Sequence, residues 1–204
     1  GEIYVRWDEF SRKRMEDLFA QEGIILQISP IHEWIYYTYY IFIQKLVSKN
    51  STVVERMKKR VEMQVLRHFE RKIKQLFARA GLCDARMVNV AHVVETAEAY
   101  LSPTLTGEAI LTIGSTLAEI GEYYDGVVAV GPFACMPSRI AESILKKAIE
   151  DKKTKLGKSL PFISIELDGN PFTPSIEARL DAFIAQVKQL KRGSEAVASA
   201  LSRR

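Results

Sequence analysis

The sequence predicts an α/β domain: a Rossmann-like parallel sheet with helices on both faces, carrying a helical-hairpin insertion. Three observations predict it. Short β-rich runs at 24–28, 127–130 and 161–167 each follow a helical stretch and end in a polar or proline-bearing loop. Apolar residues at steps of three and four fill the chain between them, the spacing of amphipathic helices. One aromatic-rich and one charged helical segment, together spanning 31–81, interrupt that alternation. Strand, loop and helix recurring in one order place parallel strands side by side under helices.

In chain order, 8–22 is expected to be helical: Asp8 caps it, Phe10, Met15, Leu18 and Phe19 supply an apolar face, and Gly23 stops it. Ile24-Ile25-Leu26-Gln27-Ile28, closed by Ser29-Pro30, has the composition of a buried strand. From His32 the character changes. Trp34, Tyr36, Tyr37, Tyr39, Tyr40 and Phe42 crowd a segment too polar and interrupted to span a membrane. Aromatics around most of a helix must bury more than one face, as core packing or a subunit contact rather than a ligand site. A homodimer through this insertion is one partner it admits.

Asn50-Ser51-Thr52 breaks and caps the chain. Residues 53–80 form a long charged helix, with Val54, Met57, Val61, Val65, Leu66, Phe69, Ile73 and Leu76 expected on its inner side. A helix at 87–101 ends at Ser102-Pro103, and 107–124 is helical by the spacing of Ile110, Ile113, Leu117 and Ile120. Asp125-Gly126 turns into a central strand, 127–130. Ser138 then caps a helix to about 150, and a Lys-rich loop leads to the strand 161–167. Residues 168–174 form its exit loop. A closing helix, 175–191, turns Ile176, Leu180, Phe183, Ile184 and Val187 inward. The α/β domain thus takes 1–30 and 82–192, the insertion 31–81, and 193–204 is a fraying tail.

A chain of 204 residues, 47% hydrophobic, can bury a core without disulfides or metal. Its two cysteines, Cys83 and Cys135, form no C-x-x-C pair and suit a reducing, cytoplasmic setting. Gly1-Glu2-Ile3-Tyr4 has no basic and apolar leader and starts inside ordered-looking sequence, as an excised domain would. The net charge of +4 is mild. Its basic stretch, Lys58 to Lys74, is diluted by Glu62 and Glu70 and suits a solvated helix face, so no nucleic-acid partner is expected. His32, His68 and His92 lack metal spacing. No G-x-S-x-G elbow and no Gly-rich phosphate loop occur, which argues against a serine hydrolase and against ATP hydrolysis within this chain.

In parallel sheets ligands sit at the carboxyl ends of strands, so chemistry is expected in the loops after Val130 and Leu167. Gly131 and Pro132 shape a tight exit, and Pro137 lets a helix begin at once. Cys135 therefore stands near a helix N-terminus, whose dipole and free N–H groups favour a thiolate. Such a thiolate can ligate iron, attack an electrophile or simply pack. One cysteine cannot hold an iron–sulfur cluster alone, because cubanes take about four thiolates. Further ligands would come from a longer chain or another subunit.

Gly131-Pro132-Phe133-Ala134-Cys135-Met136-Pro137 resembles the GPF-x-CMP signature of 2-hydroxyglutaryl-CoA dehydratase-like proteins, including the CoA-substrate-specific enzyme activases. Gly1-Glu2-Ile3-Tyr4-Val5-Arg6 is similar to their GEIYVR segment, which follows a strand. Tyr100-Leu101-Ser102-Pro103, continuing to Gly107-Glu108-Ala109, is similar to their YL-x-P…GEA stretch. Leu167-Asp168-Gly169-Asn170 and Arg179-Leu180-Asp181-Ala182-Phe183 are similar to the closing strand and helix. Arg12 stands where the family pattern has asparagine, and Cys83 lies outside the matched motifs.

The resemblance implies an iron–sulfur protein of anaerobic metabolism, with clusters carried on Rossmann-like subdomains and an ATP-driven reductase supplying a low-potential electron. Dehydratase members remove water from a 2-hydroxyacyl-CoA. It makes Cys135 a cluster ligand and places Gly131, Pro132, Phe133, Met136, Glu2, Arg6, Glu108 and Asp168 around the cofactor. The partners it implies are the remainder of the parent chain and a dehydratase or reductase. Bland alternatives stand beside these roles. Glu2 and Arg6 also suit an ion pair at the domain edge, Glu108 an ordinary first-turn acid, and Asp168 a turn cap. A catalytically silent interaction or nucleotide-binding module is the alternative for the whole chain.

Overall fold

The computed structural model describes residues 1–12, 14–170 and 172–201, with side chains as far as Lys191. Lys13 in the expected first helix, Pro171 in the loop before the last helix, and 202–204 in the expected tail lie outside them. Three short helices open the chain: α1 (Ile3–Trp7), α2 (Glu9–Arg12) and α3 (Met15–Gln21). Then come α4 (Ile31–Ile43), α5 (Val53–Arg79) and α6 (Val90–Glu98). The remainder is α7 (Glu108–Glu119), β1 (Val127–Pro132), α8 (Met136–Leu156), β2 (Phe162–Leu167) and α9 (Pro174–Leu201). Backbone proximity divides these into two units: Gly1–Ser29 with Gly107–Arg204, and Pro30–Thr106. No helix among the described residues is long and apolar enough to cross a membrane.

The first unit is mainly helical around a two-stranded parallel sheet, in which α8 connects β1 to β2. Val128 pairs with Ile163 and Val130 with Ile165. Side chains alternate across a strand. Val130, Ile163, Ile165 and Leu167 therefore share one face, where they bury against Phe19 of α3 and Leu180, Phe183 and Ile184 of α9. The Phe19 and Phe183 rings meet edge to face at 5.9 Å. Gly131 shows what covers the opposite face: a Cβ there would lie 2.2 Å from Ser138 Oγ of α8. Behind α8, its buried Leu145, Ala148 and Ile149 pack where α7 buries Ile110, Ile113 and Leu117.

Four local expectations change. The 8–22 helix breaks into α2 and α3, because Arg14 takes a left-handed φ of 52°. Arg12 stabilises that fold-back, donating to the Arg6 carbonyl at 2.6 Å and to Glu16. Residues 24–28 form no strand: Ile24 and Leu26 turn toward the core and Ile25 is 95% exposed, Ile24 N–H donates back to the Phe19 carbonyl at the end of α3, and no strand among the described residues pairs with the run. The sheet thus has two strands where three were expected. α8 starts at Met136 rather than Ser138 and continues through the expected Lys-rich loop until Gly157, in the left-handed region, ends it. The α9 backbone likewise stays helical through Leu201, into the expected tail.

In the second unit, Thr52 opens α5 with a capping box, its hydroxyl accepting from Glu55 N–H while Glu55 accepts from Thr52 N–H. The α4 aromatics do bury on two sides. Tyr36 donates to Glu70 of α5 at 2.5 Å, and Tyr40 lies near Glu95 and Glu98 of α6. α6 packs on α4, so this unit extends to Thr106, beyond the sequence-drawn boundary at 81. The inner side of α5 is the reverse of the expectation. Arg56, Lys59, Glu62, Arg67, Glu70 and Lys74 form its partly buried face, while Val54, Met57, Val61, Val65, Leu66, Phe69, Ile73 and Leu76 are exposed. The cause is polar: Tyr36 and Tyr39 need acceptors, and Glu70 and Glu62 supply them.

Candidate functional site at the carboxyl end of the sheet

β1 and β2 end side by side, and the Phe133 N–H donates to the Leu167 carbonyl at 3.0 Å. That bond brings the loop after β1 against the start of the loop after β2. Gly131 is required by the close approach of Ser138, and Pro132 closes the strand. Ala134 then adopts a left-handed φ of 57°. Cys135 becomes the N-cap of α8, its N–H donating to the Pro132 carbonyl and its carbonyl accepting from Arg139 N–H at 3.0 Å. The thiol is a free cysteine, half-buried. On either side Phe133 is 71% and Met136 70% exposed.

Two residues that the sequence reading missed hold this loop. Glu166 Oε1 accepts the Ala134 N–H at 3.2 Å, and Glu166 Oε2 accepts from Arg139 at 2.5 Å. Arg139 also donates to Glu142 at 3.0 Å. The carboxylate thus clamps the left-handed residue before Cys135 and the first turn after it. A signal was present: Ser164 and Glu166 alternate with Ile163, Ile165 and Leu167, which places an acid on the strand face turned to α8.

The N-terminal residues adjoin the same end of β1. Glu2 N–H donates to the Val130 carbonyl at 3.0 Å. The segment Ile3–Trp7 is a helix, and Glu2 caps it by accepting Val5 N–H. Arg6 is buried and donates to the Gly1 carbonyl at 2.9 Å. Glu108, in the first turn of α7, accepts the Ile3 N–H and faces Glu2 and Arg6. Burial, and then the charge of Glu2, push its carboxyl above the usual range. Asp168 accepts from Asn170 N–H and side-chain amide at 3.0 Å each, with Gly169 at φ 86° completing the turn.

The structure therefore gathers Glu2, Arg6 and Glu108 into one charged cluster beside β1. It places Phe133, Cys135 and Met136 on one rim, with Asp168 directly after Leu167. Glu2, Arg6 and Asp168 each already serve a local structural bond.

No protein-family model, curated protein or solved structure matched the chain. Among the described residues no three His, Cys, Asp or Glu side chains converge as a metal site. The second thiol, Cys83, belongs to the other unit, where its Sγ lies 3.8 Å from the Lys74 carbonyl. Cys135 at its open rim fits the part of one thiolate ligand and no more.

Proposed function

We propose that this chain is a subdomain of an iron–sulfur protein related to the 2-hydroxyacyl-CoA dehydratases and their activators, contributing Cys135 as one cluster ligand. In this reading the β1–α8–β2 unit is the core of a Rossmann-like domain, and the setting is the cytoplasm. The observation that carries it is the Gly131–Pro137 loop. Cys135, a half-buried residue, stands at the carboxyl end of a parallel strand pair, and Glu166 holds Ala134 before it and Arg139 after it. Phe133 and Met136 would shield a bound cluster from water. A cluster bound there would supply low-potential electron transfer. The other thiolates would come from the remainder of the parent chain or a dehydratase or reductase partner.

Nothing in this reading makes the chain alone an enzyme. Anaerobic purification of the whole parent protein, with iron and sulfide assays and visible spectra, tests it against a Cys135→Ser variant. Loss of most cluster iron, with unchanged folding by circular dichroism, is the expected result. Iron content equal to that of the unaltered protein would leave the chain as an interaction module.

A further inference from the structure

α5 is 27 residues long and buries no residue fully. Its polar face meets α4, and large apolar side chains run along the face turned away. From Val54 to Leu76, and with Leu66 excepted, those side chains are spaced symmetrically about Val65, at steps of four, four and three residues in each direction. The geometry points to antiparallel self-association, with α5 of one copy packing on α5 of a second about a two-fold axis at Val65. Val65 then meets its own counterpart, Val61 meets Phe69, Met57 meets Ile73, and Val54 meets Leu76. Every contact occurs twice, as an isologous interface demands.

Two further observations support a second copy as the occupant. A shallow groove of about 320 Å³ lies beside the centre of the stripe, lined by Tyr39, Val61, Glu62, Val65 and Leu66. In the symmetric register Phe69 of the second copy stands opposite Val61, on the groove's own side of the helix, and offers it a ring. The area is also of the right order. At 1.5 Å per residue α5 is about 40 Å long, and a strip one helix wide covers roughly 400 Å² on each copy. The pair buries about 800 Å², the size of a weak, transient interface rather than a stable one, so the association is concentration-dependent.

Charge sets the salt response. Lys58 and Lys72 are exposed on the same side, Lys58 with Glu62 as a charged neighbour, and the two-fold axis brings Lys58 opposite Lys72 of the second copy. Added salt screens this repulsion and tightens the dimer. An acidic helix or an anionic membrane would instead be released by salt.

Sedimentation equilibrium of the 204-residue chain, from low-micromolar to near-millimolar concentration at low and high salt, is the first arm. The expected result is a monomer–dimer equilibrium that tightens about twofold or more with salt. In a Cys83→Ser, Cys135→Ser background, oxidised Val65→Cys should crosslink to itself. Val54→Cys alone should not, and Val54→Cys with Leu76→Cys should. Phe69→Glu should abolish the dimer with helical circular dichroism unchanged. A chain monomeric under every condition overturns the proposal. So does a dimer in which Val54→Cys crosslinks alone as readily as Val65→Cys. Salt-sensitive binding of a strictly monomeric chain to phosphatidylserine vesicles would replace it with a membrane-facing role.

Discussion

The sheet-bearing unit and the helical unit use the same kind of amphipathic helix in opposite ways. α8 hides Ala141, Leu145, Ala148 and Ile149 and leaves its lysines outside. α5 turns its charges toward α4 and leaves its aliphatic side chains in water. In the first unit packing holds the structure; in the α4–α5 seam it is hydrogen-bonded charge. Periodicity reports that a helix has an apolar side. What covers that side depends on the neighbour, which the spacing does not contain.

The largest test of this contrast is a matched pair of truncations. Ile165→Ala removes a side chain buried in the cluster that also holds Phe19 of α3 and Leu180 of α9, and should cost about 2–5 kcal/mol in urea unfolding. Val61→Ala, on the exposed side of α5, should change the unfolding of dilute, monomeric protein by less than about 0.5 kcal/mol. Equal losses would erase the distinction between the two regions.

A second test uses acid. Burial holds the His32 imidazole below its ordinary value. For Glu70 burial works upward, but the Tyr36 hydroxyl, Lys74 and His32 outweigh it and leave the carboxyl below the usual range. Both are depressed in the folded state, so each contributes stability above its unfolded value that is lost as pH falls. The seam should therefore loosen below about pH 6, first through His32 and then through Glu70. Hydrogen exchange in α4 and α5, rising ahead of exchange in β1 and β2, is the expected signature.

Glu108 has the opposite sign and the smallest effect. Its raised carboxyl contributes stability at low pH that is lost as pH rises through the folded value. Glu108→Gln should raise the unfolding free energy near neutrality by a few tenths to about 1 kcal/mol, given its partial exposure, and change little in acid. A loss at neutral pH would mean that its bond to Ile3 outweighs the burial cost.

Much of the site-bearing unit was legible beforehand. The β1 and β2 runs and the tight Gly131-Pro132 exit follow from local chemistry, as does the Thr52 cap in the other unit. The run at 24–28 was not, because alternating Ile24, Ile25 and Leu26 satisfies a half-buried extended segment whether or not a strand lies beside it. Cys135 was visible as a lone thiol on a shaped loop. The clamp was not, since Glu166 lies 32 residues from the Ala134 N–H it accepts, and only strand register joins them.

Ala134 carries a consequence of its own. A residue with a Cβ in the left-handed region costs about 1 kcal/mol over its relaxed conformation. Here the neighbouring strand's carboxylate offsets that cost whether or not anything is bound at Cys135. The rim is therefore set before any guest arrives, and whatever binds there meets a receptor that need not rearrange its backbone to accept it.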